Sequence, residues 1–154
     1  MPDLATTHTE WPSIGVAPST KALLDDFFEI LDENTADAGQ KLADRIFTPD
    51  GTFITSSSKF TGVDEITSSR ERAWDVVKER MHKLVKVYTS TDDGSDLLAI
   101  GDASIVLHKN NIRIDGNLIA RIVFKDVGTD NVRIKYFQVW GDSGPMMKAL
   151  QDAA

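Results

Sequence analysis

The sequence contains no cysteine among its 154 residues, which excludes disulfide bonds, cysteine nucleophiles and the usual cysteine-ligated zinc sites. It has no apolar run of membrane-spanning length, and residues 1–18 lack the apolar segment of a signal peptide. Its 17 basic residues are scattered and the net charge is −7, which disfavours nucleic acids and anionic membranes as partners. We therefore expect a cytoplasmic protein that binds neither nucleic acid nor membrane.

The few prolines of the chain are unevenly distributed. Three of the five, Pro2, Pro12 and Pro18, lie in the first 18 residues, and proline removes backbone hydrogen-bond donors. We predict a loosely ordered N-terminal arm over residues 1–18. The remainder, residues 19–154, has the length and the apolar content of a single globular domain.

The hydrophobic periodicity changes near His82. Before it, apolar residues recur at helical spacing, which predicts one helix from Ser19, a short second helix, and a third from Gly62 whose buried stripe runs to Met81. After it, we place strands at His82–Ser90, Leu97–Lys109, Leu118–Lys125 and Arg133–Trp140. A turn is predicted at Asp115-Gly116-Asn117. Helices followed by an antiparallel sheet predict an α+β fold with a pocket between the layers.

Strand alternation assigns the side chains to two faces of this sheet. The predicted inward residues are Ala103, Ile105 and Leu107, then Ala120, Ile122 and Phe124, then Ile134, Tyr136, Gln138 and Trp140. In the first strand we place His82 and Tyr88 inward, with Lys86 beside them in need of a carboxylate partner. The outer face then carries Val106, Ile119, Val123, Phe137 and Val139. Because that face is too apolar for water alone, we expect a homodimer through it.

His82 is the principal catalytic candidate. An imidazole in a pocket can take or give a proton near neutral pH, although a histidine at a helix end can equally serve as a cap. Its carboxylate partner is left open among Asp32, Glu33, Asp37, Asp50 and Asp142. Asp142 is taken as the second catalytic residue, although it also suits a helix cap, as Asp50 suits a turn. His108 falls on the outer face by the same alternation.

A row of polar and aromatic side chains predicts the wall of a ligand pocket. If Tyr136, Gln138 and Trp140 face inward, the buried glutamine needs a hydrogen-bond partner, which a ligand carbonyl or hydroxyl would supply. The other predicted substrate contacts are Tyr88, Trp74, Phe53 and Phe124, although Trp74 at helical spacing also suits simple core packing. We recognise no metal site and no phosphate- or dinucleotide-binding motif, and we expect a small apolar ligand.

The order of these elements resembles that of SnoaL-like proteins of the nuclear transport factor 2-like superfamily, especially its small stand-alone fungal members. The segments that carry the likeness are Phe60-Thr61-Gly62, Ile66, Trp74, His82, Ile100-Gly101, Ala120-Arg121 and Tyr136–Asp142. The resemblance implies a cone-shaped, curved antiparallel sheet wrapped around N-terminal helices, as in nuclear transport factor 2-like or cystatin-like barrels. It also implies a homodimer, a deep pocket and no cofactor.

Comparison with enzymes of this superfamily restricts the reactions that we expect. They include polyketide cyclases, ketosteroid isomerase, limonene epoxide hydrolase and scytalone dehydratase. His82 matches the first pocket histidine of the dehydratase, whereas His108 misses the second by one residue, and Val139 stands where the epoxide hydrolase has an aspartate. We expect a cofactor-free isomerase, cyclase or dehydratase that acts on a small apolar secondary metabolite of polyketide or terpenoid type. The alternative is a SnoaL-like dimer that binds a small molecule without turnover or is vestigial.

Overall fold

The computed structural model describes residues 3–152 of the chain. Its helices are α1 (Pro18–Asp32), α2 (Ala38–Lys41), α3 (Gly62–Ser68) and α4 (Gly144–Asp152), and a π-helical turn, Leu42–Ile46, follows α2. Its strands are β1 (Phe47–Ile54), β2 (Lys59–Thr61), β3 (Val77–Thr89), β4 (Asp96–Leu107), β5 (Arg113–Lys125) and β6 (Arg133–Gly141). Within residues 3–152, no helix is both long and apolar enough to cross a membrane.

The six strands form one curved, open sheet in the order β2-β1-β6-β5-β4-β3. Strands β1 and β6 run parallel, and the other neighbouring pairs are antiparallel. Helix α1 packs on the inner face of this sheet. The predicted α+β class is therefore confirmed.

Helix α1 covers the inner face because its apolar residues share one side. Leu24, Phe27 and Phe28 recur at helical spacing and are at most 1% exposed. The ring centroid of Phe27 lies 4.9 Å from that of Phe137 on β6 and 5.9 Å from that of Phe53 on β1. This aromatic cluster anchors the helix on the sheet, and the C-terminal end of the helix reaches β3.

The inward faces predicted for β4 and β5 are confirmed. Ala120, Ile122 and Phe124 on β5 are buried, and Leu107 on β4 is fully buried. Ala103 packs against the same core. The pairing of these two strands contains no register shift, so their side chains alternate regularly.

The inward row predicted for β6 is wrong beyond its first residue. Ile134 faces the core as predicted, but it opposes Phe124, whereas Tyr136 opposes Val123. Lys135 is therefore the extra residue of a β-bulge. A bulge of one residue exchanges the two faces of the strand that follows it.

The side chains after this bulge show the exchange. Phe137 is 2% exposed within the aromatic cluster, and Val139 packs against the same core. Tyr136, Gln138 and Trp140 project from the outer face instead. The hydroxyl of Tyr136 donates to Oε1 of Gln138 on that face, and Trp140 is 48% exposed.

A second bulge makes the predicted inward orientation of Tyr88 wrong. The pairing of β3 with β4 shifts between Leu84 and Lys86, which leaves Val85 as the extra residue. Before the bulge, His82 and Leu84 face inward as predicted. After it, Tyr88 is on the outer face and 48% exposed.

The third helix is shorter than predicted. Helix α3 ends at Ser68, and the chain runs through turns until β3 begins at Val77. The hydroxyls of Ser68 and Ser69 donate to carbonyls of the preceding helical turn, and such side-chain bonds compete with continuation of the helix. His82 therefore lies inside a strand rather than at a helix end, and Met81 is 43% exposed instead of buried.

The turn between β4 and β5 also lies earlier than predicted. It spans residues 108–112, and the predicted turn Asp115-Gly116-Asn117 is part of β5. Asn111 adopts a φ of 55° in this turn, a left-handed conformation that asparagine tolerates better than most residues. The result is a longer β5 that extends past the end of β6.

Part of the N-terminal arm packs along the edge of β3. The backbone N–H of Glu10 donates to the carbonyl of Val85 over 2.9 Å, and that of Val87 donates to the carbonyl of Glu10 over 3.0 Å. The Glu10 carboxylate lies 2.9 Å from Nζ of Lys86, which provides the expected carboxylate partner and raises the pKa of Lys86. Trp11 packs against the core. The arm thereby covers backbone groups that an edge strand would otherwise expose.

Candidate active site

His82 lies in a row of paired residues that crosses three strands, and the other two members of the row are small. It pairs with Ala103 on β4, which pairs with Gly116 on β5, and paired residues on antiparallel strands project from the same face. A Cβ atom at Gly116 would meet no atom within 4 Å. The row therefore leaves open space above Gly116, two strands away from His82, on the inner face of the sheet.

The imidazole of His82 is held by Asp32, the last residue of α1. Nδ1 of His82 lies 2.5 Å from Oδ1 of Asp32, and the backbone N–H of His82 donates to Oδ2 over 2.9 Å. The two side chains are only 16% and 19% exposed, so solvent screens the pair weakly. The ring of Phe28 packs 5.3 Å from the imidazole, between centroids. These contacts fix the position and orientation of the histidine ring.

The carboxylate of Asp32 sets the tautomer of His82. An ionised carboxylate only accepts hydrogen bonds, so the proton of the neutral imidazole resides on Nδ1. Nε2 then carries the free lone pair, and no group within residues 3–152 forms a hydrogen bond with it. A neutral imidazole held in this way can accept a proton from a ligand.

The His82 side chain lines a cavity of about 200 Å³ between α1 and the sheet, which we call the inner chamber. Its apolar walls consist of Phe28, Leu31, Phe53, Leu118, Phe137 and Val139. Its polar residues are Thr55, Ser56, Arg70, Arg80 and His82. A cavity with mostly apolar walls and a few converging polar groups is typical of a small-molecule site.

A second cavity of about 240 Å³, which we call the vestibule, adjoins the inner chamber. The two cavities share Ser56, His82, Leu118 and Val139. The vestibule continues over the small-residue row and reaches Met146 on α4. His82 therefore lies where the two cavities meet.

Two arginines bring positive charge to the inner chamber. Arg70, from the turns after α3, donates from Nη2 to the carbonyl of Leu31 over 2.9 Å. Arg80, two residues before His82 on β3, donates from Nη2 to the carbonyl of Ala73 over 2.9 Å. Nε of Arg70 and Nη1 of Arg80 are buried without a hydrogen-bond partner in the described part of the chain. Each guanidinium thus has one group bound and another unsatisfied.

Burial lowers the pKa of both arginines. Desolvation is the main cause; the charge of Arg80 lowers the pKa of Arg70 further, and the Asp32 carboxylate opposes both shifts. The pKa of Arg70 is lowered to about 10, so the side chain is still cationic at neutral pH. The cluster therefore has two guanidinium groups and one nearby carboxylate, that of Asp32.

Four of the predicted substrate contacts are not in the inner chamber. Tyr88, Tyr136, Gln138 and Trp140 lie beyond the two bulges and project from the outer face. Their predicted inward orientation is wrong because strand alternation does not register an inserted residue. Oε1 of Gln138 accepts a hydrogen bond from the Tyr136 hydroxyl on that face.

The other predicted residues are spread over three places. Phe53 lines the inner chamber, and Asp142 lines the vestibule, where its Oδ1 accepts a hydrogen bond from a backbone N–H at the start of α4 over 2.8 Å. Trp74 is half-buried beneath the guanidinium of Arg80, 4.8 Å from the ring centroid. Phe124 is 5% exposed within the core. Roles of these residues in binding or catalysis stay predictions.

Among the five carboxylates considered as partners of His82, the one in contact with the ring is Asp32. Glu33 is exposed. Asp37 forms an exposed ion pair within its own helical turn, and Asp50 accepts a hydrogen bond from a neighbouring threonine. Residues 3–152 bring together no group of three or more His, Asp or Glu side chains suited to a metal ion.

Sequence reasoning missed Arg70 and Arg80. Arg80 and His82 are two residues apart, which places them on one face of a strand, but a helical assignment of this segment hides that relation. Arg70 has no comparable signal, because its position depends on where α3 ends. His108 is exposed, as predicted.

A larger and more open depression of about 700 Å³ also borders the His82–Asp32 pair. It lies between the N-terminal arm, α1 and β3, and it contains the carboxylates of Asp25, Glu29 and Glu33. Lys78, Arg80, Lys83 and Arg113 also line it, so its wall carries charges of both signs and suits an apolar ligand less well than the inner chamber does. The inner chamber is therefore the better candidate for an active site.

No family model and no curated protein matches the chain, but solved structures do. A putative SnoaL-like polyketide cyclase from Shewanella denitrificans OS-217 matches with a TM-score of 0.65 and 17% identity, over 88% of this chain and 99% of that chain. An LEH-like epoxide hydrolase of M. tuberculosis matches with a TM-score of 0.60 and 16% identity, over 86% and 84%. A hypothetical protein of ketosteroid isomerase-like fold from Catenulispora acidiphila DSM 44928, in complex with trimethylamine, matches with a TM-score of 0.61 and 12% identity, over 77% and 83%.

Identities this low show the fold alone, so function must be argued from the site. The matches span most of each chain and agree with the observed sheet and its covering helices. They also agree with the resemblance found in the sequence. The chain therefore has the α+β fold of the nuclear transport factor 2-like, SnoaL-like proteins.

Proposed function

We propose that the protein is a cofactor-free enzyme that uses His82 as a general acid/base on a small apolar substrate. The observation that carries this proposal is the His82–Asp32 pair at the wall of a largely apolar chamber. Asp32 holds the ring proton of the neutral imidazole on Nδ1, which leaves the lone pair of Nε2 facing the chamber, and apolar walls exclude water that would compete for the proton. A cyclase and an epoxide hydrolase among the proteins of this fold are consistent with such chemistry.

In the proposed reaction, Nε2 of His82 takes a proton from a carbon next to a carbonyl group, and the electron pair of the broken C–H bond remains on the substrate as an enolate. Asp32 stays ionised and stabilises the imidazolium. In an isomerisation, the imidazolium returns the proton to a different carbon. In a dehydration, the electron pair forms a C=C bond and expels a hydroxyl group, which takes the proton and leaves as water. In a cyclisation, the enolate carbon attacks a second carbonyl, and the imidazolium protonates the new alkoxide.

The size of the cavities bears on the substrate. The inner chamber, at about 200 Å³, is smaller than the roughly 300–1,000 Å³ of most ligand pockets. A polyketide or terpenoid metabolite, which we propose as the substrate, would therefore extend into the vestibule. There it would meet Asp142, which we retain as the proposed second catalytic residue. The fungal origin and the cytoplasmic location stay predictions from the sequence.

Deuterium uptake from solvent tests the proposed proton abstraction without knowledge of the natural substrate. We would incubate small cyclic ketones and β-keto compounds with the protein in D₂O and follow exchange at the acidic carbon by NMR. The wild type should catalyse exchange, and His82→Gln should lose it by about 10²-fold or more. His108→Gln, which changes an exposed histidine, is the matched control and should behave as the wild type. Binding of these compounds without exchange would favour the non-catalytic alternative, and exchange unchanged in His82→Gln would reject the assigned base.

We also propose a homodimer through the outer face of the sheet. Tyr88, Leu98, Ile119 and Trp140 are 42–48% exposed on neighbouring strands of this face. We call this set, together with Ile100, the outer patch. The bulge in β6 replaces the predicted Phe137 and Val139 on this face by Tyr136, Gln138 and Trp140, so the face keeps large aromatic side chains. A contiguous exposed apolar patch of this kind is typical of a protein interface.

A further inference from the structure

We propose that Arg70 and Arg80 form an anion site in the inner chamber and that the substrate is a small apolar molecule with a carboxylate group. This inference deepens the proposed function, since it concerns the substrate of the same chamber. It rests on hydrogen-bond groups and charges that the proton-abstraction step leaves unused.

The first observation is the set of unsatisfied donors. Nε of Arg70 and Nη1 of Arg80 are both buried and have no partner within residues 3–152. A buried polar group without a hydrogen bond is costly, and native structures rarely keep one without a reason. Both guanidiniums line the inner chamber, beside His82. The two nitrogens themselves are out of contact with the cavity, so a ligand in the chamber would meet the remaining surface of each guanidinium and its uncompensated charge.

The second observation is the imbalance of charge. Neither arginine lies within 4.0 Å of a carboxylate oxygen in the described part of the chain. Asp32 offsets one of the two positive charges but directs its hydrogen bonds to His82. A buried cation normally has a paired anion. A ligand with one negative charge would neutralise the cluster.

Each arginine also forms a hydrogen bond that supports the fold. That hydrogen bond uses only one of the donor nitrogens of the guanidinium. Arg70 binds the carbonyl of Leu31, which lies in the last turn of α1 and lacks a helical partner. Arg80 binds the carbonyl of Ala73 and stacks on Trp74. One donor of each fork would suffice for these roles. The contacts hold the forks rigidly, and the remaining donors are pre-organised for a ligand.

The chemistry of the chamber favours a carboxylate over other anions. Arginine forks match the planar geometry of a carboxylate. The walls of the chamber are aromatic and aliphatic, and a small volume excludes large polyanions. A planar or branched apolar carboxylic acid suits both the arginine pair and the apolar walls. Its carboxylate would hold the apolar remainder next to His82.

Binding of unreactive probes tests this inference apart from turnover. We would measure benzoate and its neutral isostere benzamide by isothermal titration calorimetry. The wild type should bind benzoate about tenfold or more tightly than benzamide, since hydrogen bonds to charged groups contribute about 1.5–3 kcal/mol and tenfold is about 1.4. Arg70→Gln and Arg80→Gln should each remove this preference and leave benzamide binding unchanged. Arg72→Gln is the matched control, because the Arg72 side chain is 89% exposed.

Several outcomes would overturn the inference. Equal affinities for benzoate and benzamide would do so, as would equal effects of Arg70→Gln and Arg72→Gln. Displacement of benzoate by an equal concentration of chloride would show a halide site instead of a carboxylate site. Where a glutamine variant fails to fold, Arg70→Lys and Arg80→Lys keep the charge but remove the fork, and they should weaken benzoate selectively. His82→Gln should retain benzoate binding, so loss of deuterium exchange and loss of the anion site are distinguishable.

Discussion

At the scale of single residues, Asp32 occupies an electrostatically unfavourable position. It is the last residue of α1, where the helix dipole favours cations over anions. Two hydrogen bonds from His82, one from the backbone and one from the ring, compensate for this position. The arrangement serves the orientation of the imidazole better than it serves the helix. We therefore assign Asp32 as the positioning residue of His82.

Replacement of Asp32 by asparagine should change the tautomer of His82. The amide nitrogen of Asp32→Asn would donate to Nδ1, which moves the ring proton to Nε2 and removes the free lone pair. Long-range proton–nitrogen correlation spectra of the His82 ring should show the two nitrogens exchanging their protonation. Deuterium exchange on carbon acids should fall by about 10²-fold or more, while ligand binding is retained.

The control for this experiment is another carboxylate of the same helix. Asp25 accepts hydrogen bonds from Thr6 and forms none with His82 within residues 3–152. Asp25→Asn should leave the ring spectrum of His82 unchanged. A wild-type spectrum in Asp32→Asn would show that the carboxylate does not set the tautomer.

At the scale of the elements, β5 keeps the vestibule open by placing Gly116 in line with His82. A Cβ at this position meets no atom within 4 Å, so we expect the side chain of Gly116→Leu to extend into this space. A two-ring carboxylate such as 4-phenylbenzoate should then bind about tenfold more weakly, whereas benzoate, which fits the inner chamber, should bind as before. Thermal stability should not fall, since glycine inside a strand is itself unfavourable. Titration calorimetry of Gly116→Ala provides the control; equal affinities of the two variants for 4-phenylbenzoate would contradict this role of the vestibule.

The elements also show what the sequence could and could not predict. Alternation was sufficient for β5, where Ala120, Ile122 and Phe124 are buried as predicted. It was insufficient for β3 and β6, because the inserted residues Val85 and Lys135 reverse the faces beyond them. A bulge depends on pairing with a neighbouring strand, and a single strand carries no local sign of it.

The candidate site shows the same division. His82 was predictable, because an imidazole next to apolar periodic residues is unusual. Its partner Asp32 was one of five open choices, since contact between α1 and β3 is a tertiary property. Arg70 and Arg80 were missed because the end of α3 is set by serine side chains that helical periodicity does not take into account.

At the scale of the whole molecule, the surface available for association is the outer face of the sheet rather than its edges. The open sheet has two edges, β2 and β3. Strand β2 has only three residues, and the N-terminal arm covers part of β3 through the backbone of Glu10. Short or covered edge strands resist pairing with another chain. The outer patch, in contrast, extends over four neighbouring strands, β3 to β6.

Sedimentation of variants in the outer patch tests the proposed homodimer. Ile119 and Trp140 oppose each other on β5 and β6, so Ile119→Lys with Trp140→Lys places two charges within the patch. Two copies of the same face meet in a two-fold dimer, so the interface would bury four unpaired charges, at a cost of several kcal/mol. The wild type should sediment as a dimer at micromolar concentration and the double variant as a folded monomer. Leu4→Lys, at a 52% exposed position on the arm, should remain dimeric. A monomeric wild type would reject the dimer, and a dimeric double variant would move the interface to a different surface, since no dimer through this face tolerates those four lysines.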